Sequence, residues 1–134
     1  MAGVTNLNQM LRHLDPILHP QELAFCTLPS DEDPEFEHCL AMFREEEGVT
    51  LVLPALVARE SNYAFTGTYR RITLQVHSSL DAVGLTAAFS KALTEVGISA
   101  NVIAAFYHDH IFVPSADAER AMQALIELRD TALS

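Results

Sequence analysis

Hydrophobic and polar positions along this chain recur with two different periods, and the switches between them mark out elements. Leu7, Met10, Leu11 and Leu14 repeat at three and four residues behind Thr5 and Asn6, which suit capping, and Pro16 closes the pattern, so a short amphipathic helix is expected. Glu22 to Leu28 is apolar and aromatic between Pro20 and Pro29, which predicts a strand. Ser30 to Glu37 is acidic and turn-rich, and Leu40 to Arg44 predicts a second strand. Glu45, Glu46, Glu47 and Gly48 then lead into an apolar run ending near Glu60, and Pro54 within it predicts a short or kinked helix. Asn62 to Gly67 has the composition of a linker, which divides the chain into one unit over residues 1–66 and another over 67–134.

Beyond the linker the periods are sharper. Ile72, Leu74 and Val76 alternate with Thr73 and Gln75, as in a strand with one buried face. Leu85, Phe89, Ala92, Leu93 and Val96 follow at helical spacing, and Gly97 with Ile98 supplies a left-handed stop and its hydrophobic contact. Asn101 to Tyr107 and His110 to Val113 predict two strands around a tight turn near His108 and Asp109. Pro114 ends them, Ser115 or Asp117 is placed to cap, and Ala118, Ala121, Met122, Leu125 and Leu128 mark a last helix. Strand, helix, strand, strand, helix is most of the split βαβ, ferredoxin-like pattern: an α+β fold with an antiparallel sheet and helices packed on one face. Its sixth element must come from the first half or from another copy, because an uncovered sheet edge invites pairing. Gly48-Val49-Thr50 and Gly84-Leu85-Thr86 each follow a strand and open an apolar segment, which suggests an internal repeat.

Composition narrows the function classes. With 134 residues and 49% hydrophobic content the chain can bury a real core, as one domain or two small ones. Eighteen acidic against eight basic residues give a formal charge of −10, which repels phosphate backbones and anionic lipid, so neither nucleic acid nor a membrane surface is expected as a partner. No apolar run approaches the roughly 20 residues that span a bilayer, and a soluble, cytoplasmic protein is expected. Cys26 and Cys39 fall in segments predicted as strands, where a free thiol acts as a small hydrophobe. GxSxG, GxxxxGK[ST], HExxH and GxGxxG are all absent, so no catalytic residue, no cofactor and no enzyme activity is predicted.

Three segments carry a family resemblance: FREEEGVTL (Phe43 to Leu51), ITLQVHSSLDAVGLTAAFS (Ile72 to Ser90) and GISANVIAAFYHDHIFVP (Gly97 to Pro114). Together they resemble a family of small bacterial proteins with tandem ACT domains, a family itself functionally uncharacterised. More distantly the chain is similar to the ACT pairs of aspartate kinases and of the eukaryotic cytosolic arginine sensors. The resemblance implies a regulatory module that binds an amino acid or another small metabolite where two ACT units meet, using the turn from first strand to first helix. The uncovered sheet edge adds the expectation of a homodimer. An assembly module with no ligand is the alternative.

Candidate chemistry concentrates at that turn, His77, Ser78, Ser79, Leu80, Asp81, Ala82, Val83, Gly84. Helix N-terminal amides favour a carboxylate and Asp81 can pair with an ammonium, so one turn offers both poles of an amino acid. Capping by Ser79 or Asp81, with Gly84 relieving packing, is the structural reading of the same residues. Asn101, Val102 and Ile103 open the next strand, and an amide with free main-chain groups there could complete the ligand's hydrogen bonds. By the suggested repeat, Glu47 and Gly48 could line a second, degenerate pocket. His108-Asp109-His110 invites a metal reading with His77, but a hairpin does not make the two imidazoles converge, and no metal is expected.

Overall fold

Residues 2–32, 36–75 and 84–132 are described by the computed structural model. Their order is α1 (Ala2–Arg12), β1 (Pro16–Leu28), a 3-10 turn (Phe36–His38), β2 (Ala41–Arg44), β3 (Val49–Pro54), α2 (Ala55–Glu60), β4 (Tyr69–Leu74), α3 (Leu85–Glu95), β5 (Asn101–Ala104), β6 (Asp109–Pro114), a 3-10 turn (Ser115–Asp117) and α4 (Ala118–Thr131). Contacts gather these into two compact units, Met1–His19 with Arg71–Ser134, and Pro20–Arg70. The units are not contiguous in sequence, because Leu11 of α1 and Leu14 bury into the same cluster as the C-terminal elements.

In the first unit the strands run β1 (its Pro16–His19 part), β4, β6, β5. Alternation does the sorting. Ile72 and Leu74 of β4 and Ile111 and Val113 of β6 enter the core, while Arg71, Thr73, His110 and Phe112 take the other face. Against the core face lie Leu85, Phe89 and Leu93 of α3, Ala118, Ala121 and Leu125 of α4, and Leu11 of α1. The sixth element of the ferredoxin-like pattern therefore comes from the first half of the chain: Pro16–His19 flanks β4, and the Gln75 amide donates to the Asp15 carbonyl at 3.1 Å. The stop of α3 is the one its sequence predicts. Gly97 sits at φ +74, its amide reaches the Thr94 carbonyl at 2.9 Å, the Ile98 amide reaches Leu93 at 3.0 Å, and Ile98 is buried.

In the second unit β3 lies between β1 and β2, antiparallel to both, with Cys26 opposite Leu51 and Met42 opposite Leu51 on the other side. Ala24, Cys26, Leu28, Val49, Leu51, Leu53, Ala55 and Ala58 form its core.

Several local expectations give way here. The run after Gly48 holds a short helix only in its last part, Ala55–Glu60, and the part before it, Val49–Pro54, is a strand. Val49, Thr50 and Val52 are β-branched and hydrogen-bonded on both sides, and Pro54, with no N–H to contribute, stands at the N-cap of α2. Pro20 does not bound β1 but lies within it, and Cys39 lies between the 3-10 turn and β2. Helix α1 begins before Thr5 and Asn6. The last hairpin turns earlier than expected, over residues 105–108, so Phe106 and Tyr107 are in the turn and Asp109 is in β6. Asp117 occupies the N-cap of α4 without capping it, and its carboxylate instead accepts from Arg120 at 3.0 Å.

The internal repeat exists in a different register. Ala41 pairs with Val52 as Asn101 pairs with Phe112, so the β2–β3 hairpin corresponds to the β5–β6 hairpin, and Gly48 corresponds to His108 and not to Gly84. Gly48 has its own local reason. A Cβ there would collide with the carbonyl oxygen of Leu28 and lie 3.0 Å from the Thr27 hydroxyl, so only glycine lets β1 pass this close.

Candidate functional site

Of the predicted turn, His77, Ser78, Ser79, Leu80 and Asp81 lie outside the described residues. Gly84 closes it as the N-cap of α3, at φ +93 and ψ −18, and offers no side chain to the helix amides. The first amide to find a helical partner is that of Ala88, which donates to the Gly84 carbonyl at 2.9 Å. Gly84 also has a packing role, since a Cβ there would come within 3.3 Å of Leu7 Cδ2 on α1.

Asn101, Val102 and Ile103 are in β5, the last strand in the first unit's order. Val102 packs against the core, while Asn101 and Ile103 are exposed on the other face. Glu47 and Gly48 fall in the β2–β3 turn of the second unit, where the Glu45 amide donates to the Gly48 carbonyl at 2.8 Å and Thr50 donates to the Glu45 carboxylate at 2.6 Å. With the repeat in its observed register, the correspondence that linked this pair to the turn before α3 is gone. An open cleft of about 450 Å³ in the same unit is lined instead by Gln21, Glu22, His38, Leu56 and Arg59 among others.

His108 and His110 do not form a chelate. Their rings are perpendicular with centroids 6.3 Å apart, and no group of three or more His, Cys, Asp or Glu side chains placed to hold a metal occurs among the described residues. What the structure assembles around His110 is different. His19 Nε2 is 2.8 Å from Thr73 Oγ1, which is 3.0 Å from His110 Nδ1, so a buried threonine links two imidazoles from β1 and β6 across β4. Thr73 has one hydroxyl proton. When it donates to one ring, the other ring must donate to it, and the two tautomers are coupled. Arg71, two residues before Thr73 and on the same face, completes the group. Burial lowers the pKa of His19 and Arg71 adds to that; for His110 burial again leads, followed by Arg71, His108 and His19. Burial also raises Asp109 above the usual carboxylate range. Two buried atoms here, Arg71 Nε and His108 Nδ1, have no hydrogen-bond partner.

No sequence motif marks His19, Arg71 and Thr73 as a group, although Arg71 and Thr73 sit at the polar positions of an alternating strand. That signal says only that they share a face; their junction with His19 depends on strand order.

Two family models for the ACT domain match the chain, one over residues 2–70 and one over 67–127. No curated protein matches. Among solved structures, a Vibrio cholerae protein of unknown function, described as a possible transport protein, is 44% identical over 95% of this chain and 98% of its own, with a TM-score of 0.85. An Agrobacterium tumefaciens protein is 16% identical over 87% and 90%, with a TM-score of 0.73. The ligand-free regulatory subunit of aspartate kinase from Thermus thermophilus is 9% identical over 87% and 98%, with a TM-score of 0.63, a likeness of fold. ACT domains are typically regulatory modules that bind amino acids. The chain belongs to the ACT domain family and carries two ACT domains in tandem, each built on the ferredoxin-like α+β plan.

Proposed function

We propose that this protein is a cytoplasmic, non-catalytic regulatory module that binds a small molecule, an amino acid, at the turn from β4 into α3. The observation that carries the reading is the pair of ACT domain matches, which together span nearly the whole described chain. The opening of α3 supports it. Its N-cap is a glycine, which has no side chain to occupy the first-turn amides, so these suit a carboxylate, and Asp81 is placed in sequence to meet an ammonium. Asn101 and the main-chain groups of β5, an edge strand among the described residues, add donors and acceptors. Occupancy acts by favouring one packing of the ACT surfaces over another, and only to the extent that the ligand binds the two states differently.

A thermal-shift screen of the full chain against the proteinogenic amino acids tests this, since a ligand at a hundredfold over its Kd adds about 2.7 kcal/mol. One amino acid is expected to raise the melting temperature, and Asp81→Ala to abolish the rise. No shift from any of them sinks the proposal.

A second reading, assembly through ACT surfaces without a ligand, is favoured by the tip of the β5–β6 hairpin. Phe106 and Tyr107 are 76% and 78% exposed there, stacked edge-to-face at 5.0 Å, beside an edge strand that can pair with a second copy. A homodimer is expected on either reading.

A further inference from the structure

We propose that the sheet face around Thr73 in the first unit is a second binding site, for an oxyanion (a carboxylate or a phosphate), with Arg71 as the charge partner and the histidines of that face as hydrogen-bond donors. This is a different set of residues from the turn before α3, and the two proposals stand or fall separately.

The argument begins with the cost of Arg71. A guanidinium withdrawn from water is expensive unless a carboxylate and hydrogen bonds compensate it. Arg71 is half-buried, its Nε is buried without a partner, and burial is the one cause that moves its pKa, downward. A carboxylate beside it would push the other way. Asp109, the acidic residue of the neighbouring strand β6, forms no ion pair with Arg71, and burial pushes its own carboxyl upward.

The surroundings sharpen the cost. Arg71 and Thr73 share a face by strand alternation, and His19 and His110 reach Thr73 from either side at 2.8 and 3.0 Å. His108 approaches His110 with its ring perpendicular and leaves a second buried nitrogen, Nδ1, unpartnered. Four nitrogen-rich side chains thus converge, and among the described residues Arg71 has no carboxylate paired with it. Two of them keep unpaired buried donors or acceptors, in a protein whose net charge is −10. Such a cluster is poorly suited to a metal, because Arg71 repels a cation from the imidazoles. It suits an anion, which would pair with the exposed end of the guanidinium, accept from protonated rings, and reverse the penalty on imidazole charging. Thr73 holds the two rings in place before the anion arrives, so less ordering is needed on binding.

The test is a titration of the histidine ring resonances of the full chain by NMR near pH 6.5. Inorganic phosphate and acetate are added separately, against sodium chloride at matched ionic strength. At least one oxyanion is expected to give saturable shifts at His19 and His110 and to raise their titration midpoints, and which one succeeds identifies the ligand as phosphorylated or carboxylic. Arg71→Gln is expected to weaken that binding about tenfold or more, with Arg71→Lys recovering part of it. Shifts from neither oxyanion beyond those from chloride would overturn the proposal. So would an unchanged binding curve in Arg71→Gln. Should the glutamine variant not fold, the wild-type titration and the lysine variant still decide.

Discussion

Replacing Gly84 with alanine isolates what the opening of α3 requires of its backbone. At φ +93 and ψ −18 an L-residue pays steric strain of about 1–2 kcal/mol. The added Cβ would also stand 3.3 Å from Leu7 Cδ2, close enough that the leucine must yield by a few tenths of an ångström. Leu7 is only partly buried on α1 and can turn aside, so crowding adds a fraction of the strain term. Against this, alanine has fewer unfolded conformations to lose, an offset of about 0.4–1 kcal/mol. The balance is a destabilisation of about 1 kcal/mol, or about 3 °C in melting temperature for a chain of this length. Urea denaturation of Gly84→Ala, Gly84→Asn and Gly84→Ala with Leu7→Ala separates the terms. Asparagine, which tolerates positive φ, is expected to cost less than alanine, and the double variant to show coupling smaller than the strain. A Gly84→Ala protein as stable as the parent would refute the left-handed cap.

Three further outcomes follow from the same structure. Phe89 is fully buried in the first unit's core, so Phe89→Ala is expected to cost about 3–5 kcal/mol by chemical denaturation. His19 and His110 have lowered pKa values, so in the window below the ordinary imidazole value of 6.5 the unfolded chain binds more protons than the folded one; stability is expected to fall as pH drops through that window, and the slope to flatten in His110→Gln. Phe106→Ser with Tyr107→Ser is expected to leave the melting temperature nearly unchanged while converting dimer to monomer on sizing, and a persistent dimer would remove the hairpin tip from the interface.

How far the sequence is legible varies with how local the deciding interaction is. The stop of α3 could be read residue by residue, because the hydrogen bonds of Gly97 and Ile98 close within one turn. The faces of β4 could be read because alternation is a property of the strand itself. The run from Val49 to Glu60 could not, since apolar residues at that density suit a buried strand or a helix, and pairing of β3 on both edges decides for the strand. The register of the repeat is hidden for the same reason: Gly48 and Gly84 look alike in sequence but answer different neighbours, the Leu28 carbonyl in one case and Leu7 of α1 in the other.

The chain's own order therefore determined an α+β protein of the ferredoxin-like kind, with strands and helices set by periods of two and of three to four residues, and the resemblance of three segments added the tandem ACT family. Tertiary structure decided which segments complete which unit. Pro16–His19 joins β4 although more than fifty residues separate them, and that placement creates the group of His19, Arg71, Thr73 and His110. Local propensity acts over a few bonds, whereas a cluster drawn from three strands exists only once the register of each against the next has been settled.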